Sequence, residues 1–255
     1  MPLLEITDIS LQFGGLKAVD GVSFSVADNE ILAVIGPNGA GKTTIFNVVS
    51  RIYKPDRGSI RFAGKELTLL RGDELPGLGL ARTFQNIELF AGTTVLSNIL
   101  LGCHVHRRTG LLSELLYLPS ARRQENAFRE QVEELIEFLD LGPYRDAEIG
   151  SLPYGIRKTV ELARALAVRP RLLLLDEPSS GLNIEETAHV GRLIGRIRDS
   201  VKTAVVMVEH DMSLVNSVSD RVLALDAGRV MAEGSPEEIR NNDAVKSAYL
   251  GAADA

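Results

Sequence analysis

The chain has 255 residues, 45% of them apolar and 24% charged, enough for one large domain or two small ones around a substantial core. A net charge of −6 excludes a global basic footprint for nucleic acid or anionic lipid. The single cysteine, Cys103, excludes an intrachain disulfide and fits a reducing compartment.

The opening "MPLLEITDIS" has no basic segment leading into an apolar one, so no signal peptide is expected. The densest apolar runs, "ILAVIG" and "LLLLD", fall far short of the roughly 20 apolar residues of a transmembrane helix. A role at a membrane therefore requires docking onto something that spans it. The sequence shows no tandem repeat and no low-complexity tract.

The first third predicts strands. "LLEITDISLQF", "VSFSVADNEILAVIG" and "GSIRFAGKEL" alternate or run apolar between Gly, Asp and Asn turns. Residues 31–35 are continuously apolar, as in a strand buried on both faces.

From about Ile87 to Gly150 the pattern is mostly helical. Phe128, Val132, Leu135, Ile136 and Leu139 form one amphipathic stripe, stopped by Gly142-Pro143. Upstream, "HRRTGLLSELLYLPSARR" reads as a partly helical insertion. The last third returns to strands and helices. "RLLLLDE" and "TAVVMVEH" predict buried strands with a helix between them, and "RVLALDAGRVMAEG" predicts a hairpin. In "SPEEIRNN", Ser235, Pro236 and Glu238 supply N-cap, N1 and N3 of a capping box. A helical block inserted into an α/β body follows.

Residues 36–44, Gly-Pro-Asn-Gly-Ala-Gly-Lys-Thr-Thr, satisfy G-x-x-x-x-G-K-[ST] directly after an apolar strand. Gly39 and Gly41 let the backbone curl so that successive N–H groups converge on phosphate oxygens. The helix after Lys42 adds its dipole. Lys42 is the expected partner of the β- and γ-phosphates, and Thr43 of Mg²⁺. A plain Gly-rich turn is the bland alternative, but nine consecutive fitting residues in strand–loop–helix context argue against it. "RLLLLDEPSSGLN" ends a buried strand in Asp176 and Glu177. Carboxylates at the C-terminal end of a parallel strand face the ligand crevice. Asp176 suits Mg²⁺ through water, and Glu177 suits polarisation of an attacking water.

With these motifs in this order, the chain resembles the nucleotide-binding subunit of an ABC transporter along essentially its whole length. The resemblance implies an α/β, P-loop NTPase fold of ABC type, with a RecA-like parallel core, an antiparallel β subdomain and an inserted helical subdomain. The core would comprise residues 1–86 and 156–255, and the helical subdomain about 87–155, with the signature at its end. ATP and Mg²⁺ are the implied cofactors. The nucleotide would meet Phe13, which stacks on adenine, then Val19, Gly36, Pro37, Asn38, Gly39, Ala40, Gly41, Lys42, Thr43 and Thr44, and Gln85 of "RTFQN". Mg²⁺ would be held by Thr43, Gln85 and Asp176. Lys42, Glu177 and His210 of "VEHD" would carry catalysis, and Ser180, Gly181, Leu182 and Asn183 match the D-loop.

The segment "SLPYGIRKTVELARAL" falls where this family carries its signature, usually Leu-Ser-Gly-Gly-Gln. The resemblance implies that Leu152, Pro153, Tyr154 and Gly155 contact the γ-phosphate of ATP on a second subunit. Pro153 replaces the serine, Tyr154 the first glycine and Ile156 the glutamine, and Asn183 stands where many relatives have aspartate. Arg157 and Lys158 sit at the start of the helix, the wrong sign for its dipole. They either meet the expected anion or belong to a solvated face.

"FGGLKAVDGVSFSV", "LARTFQNIELFAGTTVLSNILLG" and "EGSPEEIRNNDAVKSAYLG" are most similar to the ATPase subunits of branched-chain amino acid importers. Urea and short-chain amide importers and the lipopolysaccharide exporter share part of this, and remain alternatives. The implied partners are integral-membrane permease subunits, a second ATPase subunit as homodimer or heterodimer with a paralogue, and indirectly a solute-binding protein, with no nucleic acid. The implied location is peripheral, at the cytoplasmic face of the bacterial inner membrane, with a soluble isolated chain. An ABC-type ATPase acting on ribosomes or DNA is the rival, disfavoured by the single nucleotide domain and the negative charge. A P-loop kinase is disfavoured by residues 151–166 and His210.

Cys103, His104 and His106 match no zinc spacing with a second pair, so no metal is expected there. His189 reads as solvated. Leu89, Phe90 and Leu96 are either internal core or the lining of a groove for a membrane subunit.

Overall fold

The computed structural model describes residues 1–83, 87–107 and 119–251. Its strands are β1 (Leu4–Phe13), β2 (Leu16–Val26), β3 (Ile31–Ile35), β4 (Arg57–Phe62), β5 (Lys65–Glu66), β6 (Leu80–Arg82), β7 (Leu172–Asp176), β8 (Ala204–Val208), β9 (Arg221–Asp226) and β10 (Arg229–Gly234). Its helices are α1 (Lys42–Val49), α2 (Leu75–Leu78), α3 (Val95–Gly102), α4 (Pro119–Phe138), α5 (Tyr154–Leu166), α6 (Ile184–Arg196), α7 (Met212–Val218), α8 (Pro236–Asn241) and α9 (Asp243–Gly251). The chain divides into two compact units: residues 1–75 with 171–255, and residues 76–170.

The first unit contains two sheets. One is antiparallel, in the order β2-β1-β4-β5. In β1 the inward residues Leu4, Ile6, Ile9 and Leu11 are buried, the alternation expected of a sheet with one wet face. The other places β10, β9, β3, β8 and β7 side by side. There β3 runs parallel to both β8 and β9, and β7 parallel to β8. Every residue of β3, β7 and β8 is buried. Each fully buried Leu, Ile or Val contributes about 1.5–3 kcal/mol relative to exposure, so these runs have no stable alternative on the surface. The order also aligns their C-terminal ends, where Gly36, Glu177 and Glu209 follow.

The hairpin of β9 and β10 is antiparallel. The capping box after it is present: Ser235 Oγ accepts from Glu238 N, and Glu238 Oε2 accepts from Ser235 N at 2.7 Å.

In the second unit, α3 packs on α5 at close range. A Cβ on Gly102 would lie 2.2 Å from the Arg164 carbonyl oxygen and 2.8 Å from Ala167 Cβ, so only glycine permits this approach. Along α4, Val132 and Ile136 are buried, as is Leu139 just beyond it, while Phe128 and Leu135 are half-buried. Residues 108–118, most of the expected insertion, lie outside the described residues. Leu96 is buried, Leu89 half-buried and Phe90 exposed.

Candidate functional site: a phosphate loop with two carboxylates and a histidine

The loop between β3 and α1 is shaped by close backbone approaches. Gly41 has φ +97°, and a Cβ there would lie 2.5 Å from the Ala18 carbonyl oxygen. Gly36 is closed in as tightly, since its Cβ would lie 2.2 Å from the Leu225 carbonyl oxygen. Both positions therefore require glycine. The loop is braced from the β9–β10 turn, where Gly228 N donates to Ala40 O at 3.1 Å. It is braced again from α9, where Gly36 N donates to the Tyr249 phenol oxygen at 2.8 Å.

Lys42 opens α1, and its side chain turns back over the loop. Its Nζ donates to Gly36 O at 2.6 Å and Pro37 O at 2.9 Å. Burial pushes its pKa down, opposed by the charges of Glu177 and then Asp176. The ammonium thus lies within the field of both carboxylates. Asn38, Gly39 and Thr43 are exposed, Pro37 and Thr44 half-exposed, and Ala40 buried.

Asp176 ends β7 and is 3% exposed. Glu177 follows with φ +48°, a left-handed backbone rare outside glycine. It is held there by Glu177 N donating to Val208 O at 3.0 Å and Ser180 N donating to Glu177 O at 3.1 Å. Such strain at a strand end is a feature of functional sites. Ser180, Gly181 and Leu182 lead to Asn183, whose amide oxygen accepts from Glu186 N at 3.0 Å and caps α6. His210 is exposed just after β8. The loops bearing Glu177 and His210 are joined by Glu209, a fully buried carboxylate that bonds Ser179 N and His210 N.

Phe13 is 46% exposed at the end of β1, and the Tyr53 ring meets it edge-on at 5.2 Å between centroids. Val19 is fully buried, and its Cα lies 3.2 Å from where a Cβ of Gly228 would fall. Gln85 lies outside the described residues.

In the second unit, Leu152 is buried while Pro153 and Tyr154 are exposed at the start of α5, with Gly155 half-buried. Arg157 and Lys158 lie over the Tyr154 ring, 5.6 and 5.9 Å from its centroid. This cation–π packing gives the two cations a local partner in the residue that replaces a signature glycine. Lys158 is buried and Arg157 half-buried, so neither belongs to a fully solvated face. Cys103 is fully buried, and burial pushes its thiol up to about 11. His106 Nε2 is 2.8 Å from Val168 O.

Sequence reasoning passed over Glu209, Gly228, Tyr249 and Tyr53. Gly228 carried a signal, in the "DAG" turn of the hairpin. Glu209 carried a weaker one, a carboxylate ending an apolar strand. Tyr249 and Tyr53 carried none.

A glycine-shaped loop, a buried lysine and two strand-end carboxylates define a nucleoside-triphosphate site of the P-loop type. The family model described as ABC transporter matches residues 19–180, and one described as branched-chain amino acid ATP-binding cassette transporter matches residues 229–255. The chain belongs to the ABC transporter family and is its ATP-hydrolysing component.

It is 41% identical over 252 residues to the high-affinity branched-chain amino acid transport ATP-binding protein BraF of Pseudomonas aeruginosa, with 99% of each chain covered. It is 40% identical over 252 residues to the corresponding LivG of Escherichia coli, again with 99% of each covered. Among solved structures, the ADP conformation of MJ1267, an ATP-binding cassette of an ABC transporter, matches with a TM-score of 0.86 at 30% identity. That match covers 98% of this chain and 99% of the other.

Proposed function

We propose that this chain drives a membrane importer of branched-chain amino acids by binding and hydrolysing ATP. The observation that carries the reading is the convergence at aligned strand ends of the phosphate loop, Asp176, Glu177 and His210, with Lys42 inside the field of both carboxylates. The matches at 229–255 and to importer subunits support the substrate class.

On ATP binding, the Lys42 ammonium exchanges the Gly36 and Pro37 carbonyls for β- and γ-phosphate oxygens. The N–H groups of residues 39–44 and the α1 dipole take the remaining charge. Phe13 offers its exposed face to the adenine. Glu177 polarises the attacking water, and His210 orients it against the γ-phosphate.

The donor set fits Mg²⁺ brought in with the nucleotide. No cluster of three His, Cys, Asp or Glu that could hold a metal exists among the described residues. Mg²⁺ usually keeps several waters and is bound through a few protein oxygens plus substrate phosphates. Thr43, Asp176 and Gln85 would provide those oxygens, and the ion would neutralise phosphate charge.

Two such chains, or this chain and a paralogue, would close head to tail over two ATP molecules. Leu152, Pro153, Tyr154 and Gly155 would line the partner's γ-phosphate, with the Tyr154 and Gly155 N–H groups at the start of α5 as the donors, since Pro153 has none. Missing the serine hydroxyl costs about 1 kcal/mol, which leaves the signature competent. The Ser180–Asn183 loop would line the same interface. The helical subdomain, residues 87–155, would pass closure to the permease, which takes solute from a binding protein. No helix of the described residues is long and apolar enough to cross a membrane. By its likeness to importer ATP-binding subunits, the chain would work as a peripheral subunit at the cytoplasmic face.

Reconstitution with permease and binding protein in proteoliposomes tests the substrate. ATP-dependent uptake of leucine or isoleucine is expected. Uptake of urea or an amide in its place would contradict the assignment.

A further inference from the structure

Glu209 has no part in the chemistry above, yet its placement is unusual. It follows β8, whose five residues are apolar and buried, and is itself 0% exposed. A buried carboxylate is costly unless its lone pairs are filled. Here Oε1 accepts from Ser179 N at 2.8 Å. Oε2 accepts from His210 N at 3.0 Å and Asp211 N at 3.2 Å. Its own N–H donates to Val34 O at 3.2 Å, near the end of the strand that enters the phosphate loop.

All three N–H donors belong to loops that carry site residues. Ser179 lies between Glu177 and the Ser180–Asn183 loop. His210 is the proposed water-orienting group, and Asp211 caps α7 through Ser213 N and Leu214 N. One side chain therefore ties two loops that are 30 residues apart in sequence. Three backbone bonds to one buried side chain are costly to break, so they fix the peptides that bear the functional side chains.

We propose that Glu209 is a positioning residue for hydrolysis. It holds the His210 peptide against the Glu177–Asn183 loop, so that imidazole and carboxylate share one geometry at the γ-phosphate. The proposal rests on the reading that His210 acts there. Glutamine in its place keeps the volume but replaces one acceptor oxygen with an NH₂ donor. If the remaining oxygen faces Ser179, the NH₂ meets two N–H donors. If it faces His210 and Asp211, the NH₂ meets Ser179 N–H. One arm of the clamp is lost either way.

The test is a double-mutant cycle of ATP hydrolysis with Glu209→Gln, His210→Ala and the pair, together with ATP affinity and melting temperature. Glu209→Gln is expected to lower kcat by about tenfold to a hundredfold while KM and Kd for ATP move by less than about threefold. In the His210→Ala background it should cost less than about twofold, because the group it positions is gone. Unchanged kcat, or an equal loss in both backgrounds, would overturn the proposal. Normal turnover by His210→Ala alone would instead remove the histidine assignment, and this proposal with it. If Glu209→Gln melts below the assay temperature, Glu209→Asp carries the same cycle. Its shorter carboxylate reaches the N–H groups of its own loop but not Ser179, and the same outcomes decide.

Discussion

The phenol oxygen of Tyr249 accepts a 2.8 Å hydrogen bond from the backbone N–H of Gly36, so the C-terminal helix is tied to the first residue of the phosphate loop. Burial raises the phenol pKa, opposed by the Gly36 bond, so the phenol stays protonated in use. Tyr249→Phe keeps the ring and leaves Gly36 N–H unpaired. A loss of about 1 kcal/mol in stability, and a Kd for ATP weakened by about fivefold, is expected. Denaturant melts and equilibrium nucleotide binding measure the two.

Gly228 supports the same loop through a second bond, its N–H donating to Ala40 O at 3.1 Å. It has φ +77°, and a Cβ would fall 2.8 Å from the Ala18 carbonyl oxygen. Gly228→Ala should destabilise by at least about 1–2 kcal/mol, from the left-handed backbone alone. It should also weaken ATP binding, although residue 228 lies far from the phosphate loop in sequence. Thermal melts and ATP titration check both; ATP affinity that does not change would separate the turn from the loop.

Asn183 has a structural duty at the start of α6. Its side chain caps α6 in a reciprocal box with Glu186, whose Oε2 accepts from Asn183 N at 2.9 Å. Aspartate caps as well as asparagine, whereas alanine forfeits about 1 kcal/mol. Melting of Asn183→Asp should match the parent, and that of Asn183→Ala should fall by about that amount.

The helical unit carries an acid-sensitive pair. The Arg145 guanidinium donates to both carboxylate oxygens of Glu133 at 2.9 Å and holds that carboxyl below its ordinary range. A glutamate with a lowered folded pKa contributes its stability above the ordinary value of about 4.3 and loses it as pH falls through the depressed value. The parent should therefore lose melting temperature steadily below about pH 4.3, and Glu133→Gln should lose less over that window. The pair is partly exposed, so the effect is modest and shrinks in high salt.

Local pattern made much of the fold legible. The unbroken apolar runs of β3, β7 and β8 required strands buried on both faces, and Ser235 with Glu238 marked a helix start by spacing alone. The phosphate loop was readable because its chemistry is contiguous. Contacts between distant residues were not. Glu209 meets a backbone N–H 30 positions away, and Tyr249 meets one 213 positions away. Backbone donors leave no residue-type signal at the other end of such a bond. The packing of Arg157 and Lys158 over the Tyr154 ring was likewise illegible, because spacing alone does not say which neighbour a cation meets. Val19 is fully buried in β2, a burial set by which side of the strand faces the core.

The most direct test of the account is ATP turnover and ATP–Mg²⁺ affinity of Glu177→Gln beside the parent chain. Glu177 sits on a left-handed backbone immediately after Asp176, within the field of Lys42. The account predicts unchanged nucleotide binding and a turnover lower by about a hundredfold or more. Near-normal turnover with bound ATP would contradict it.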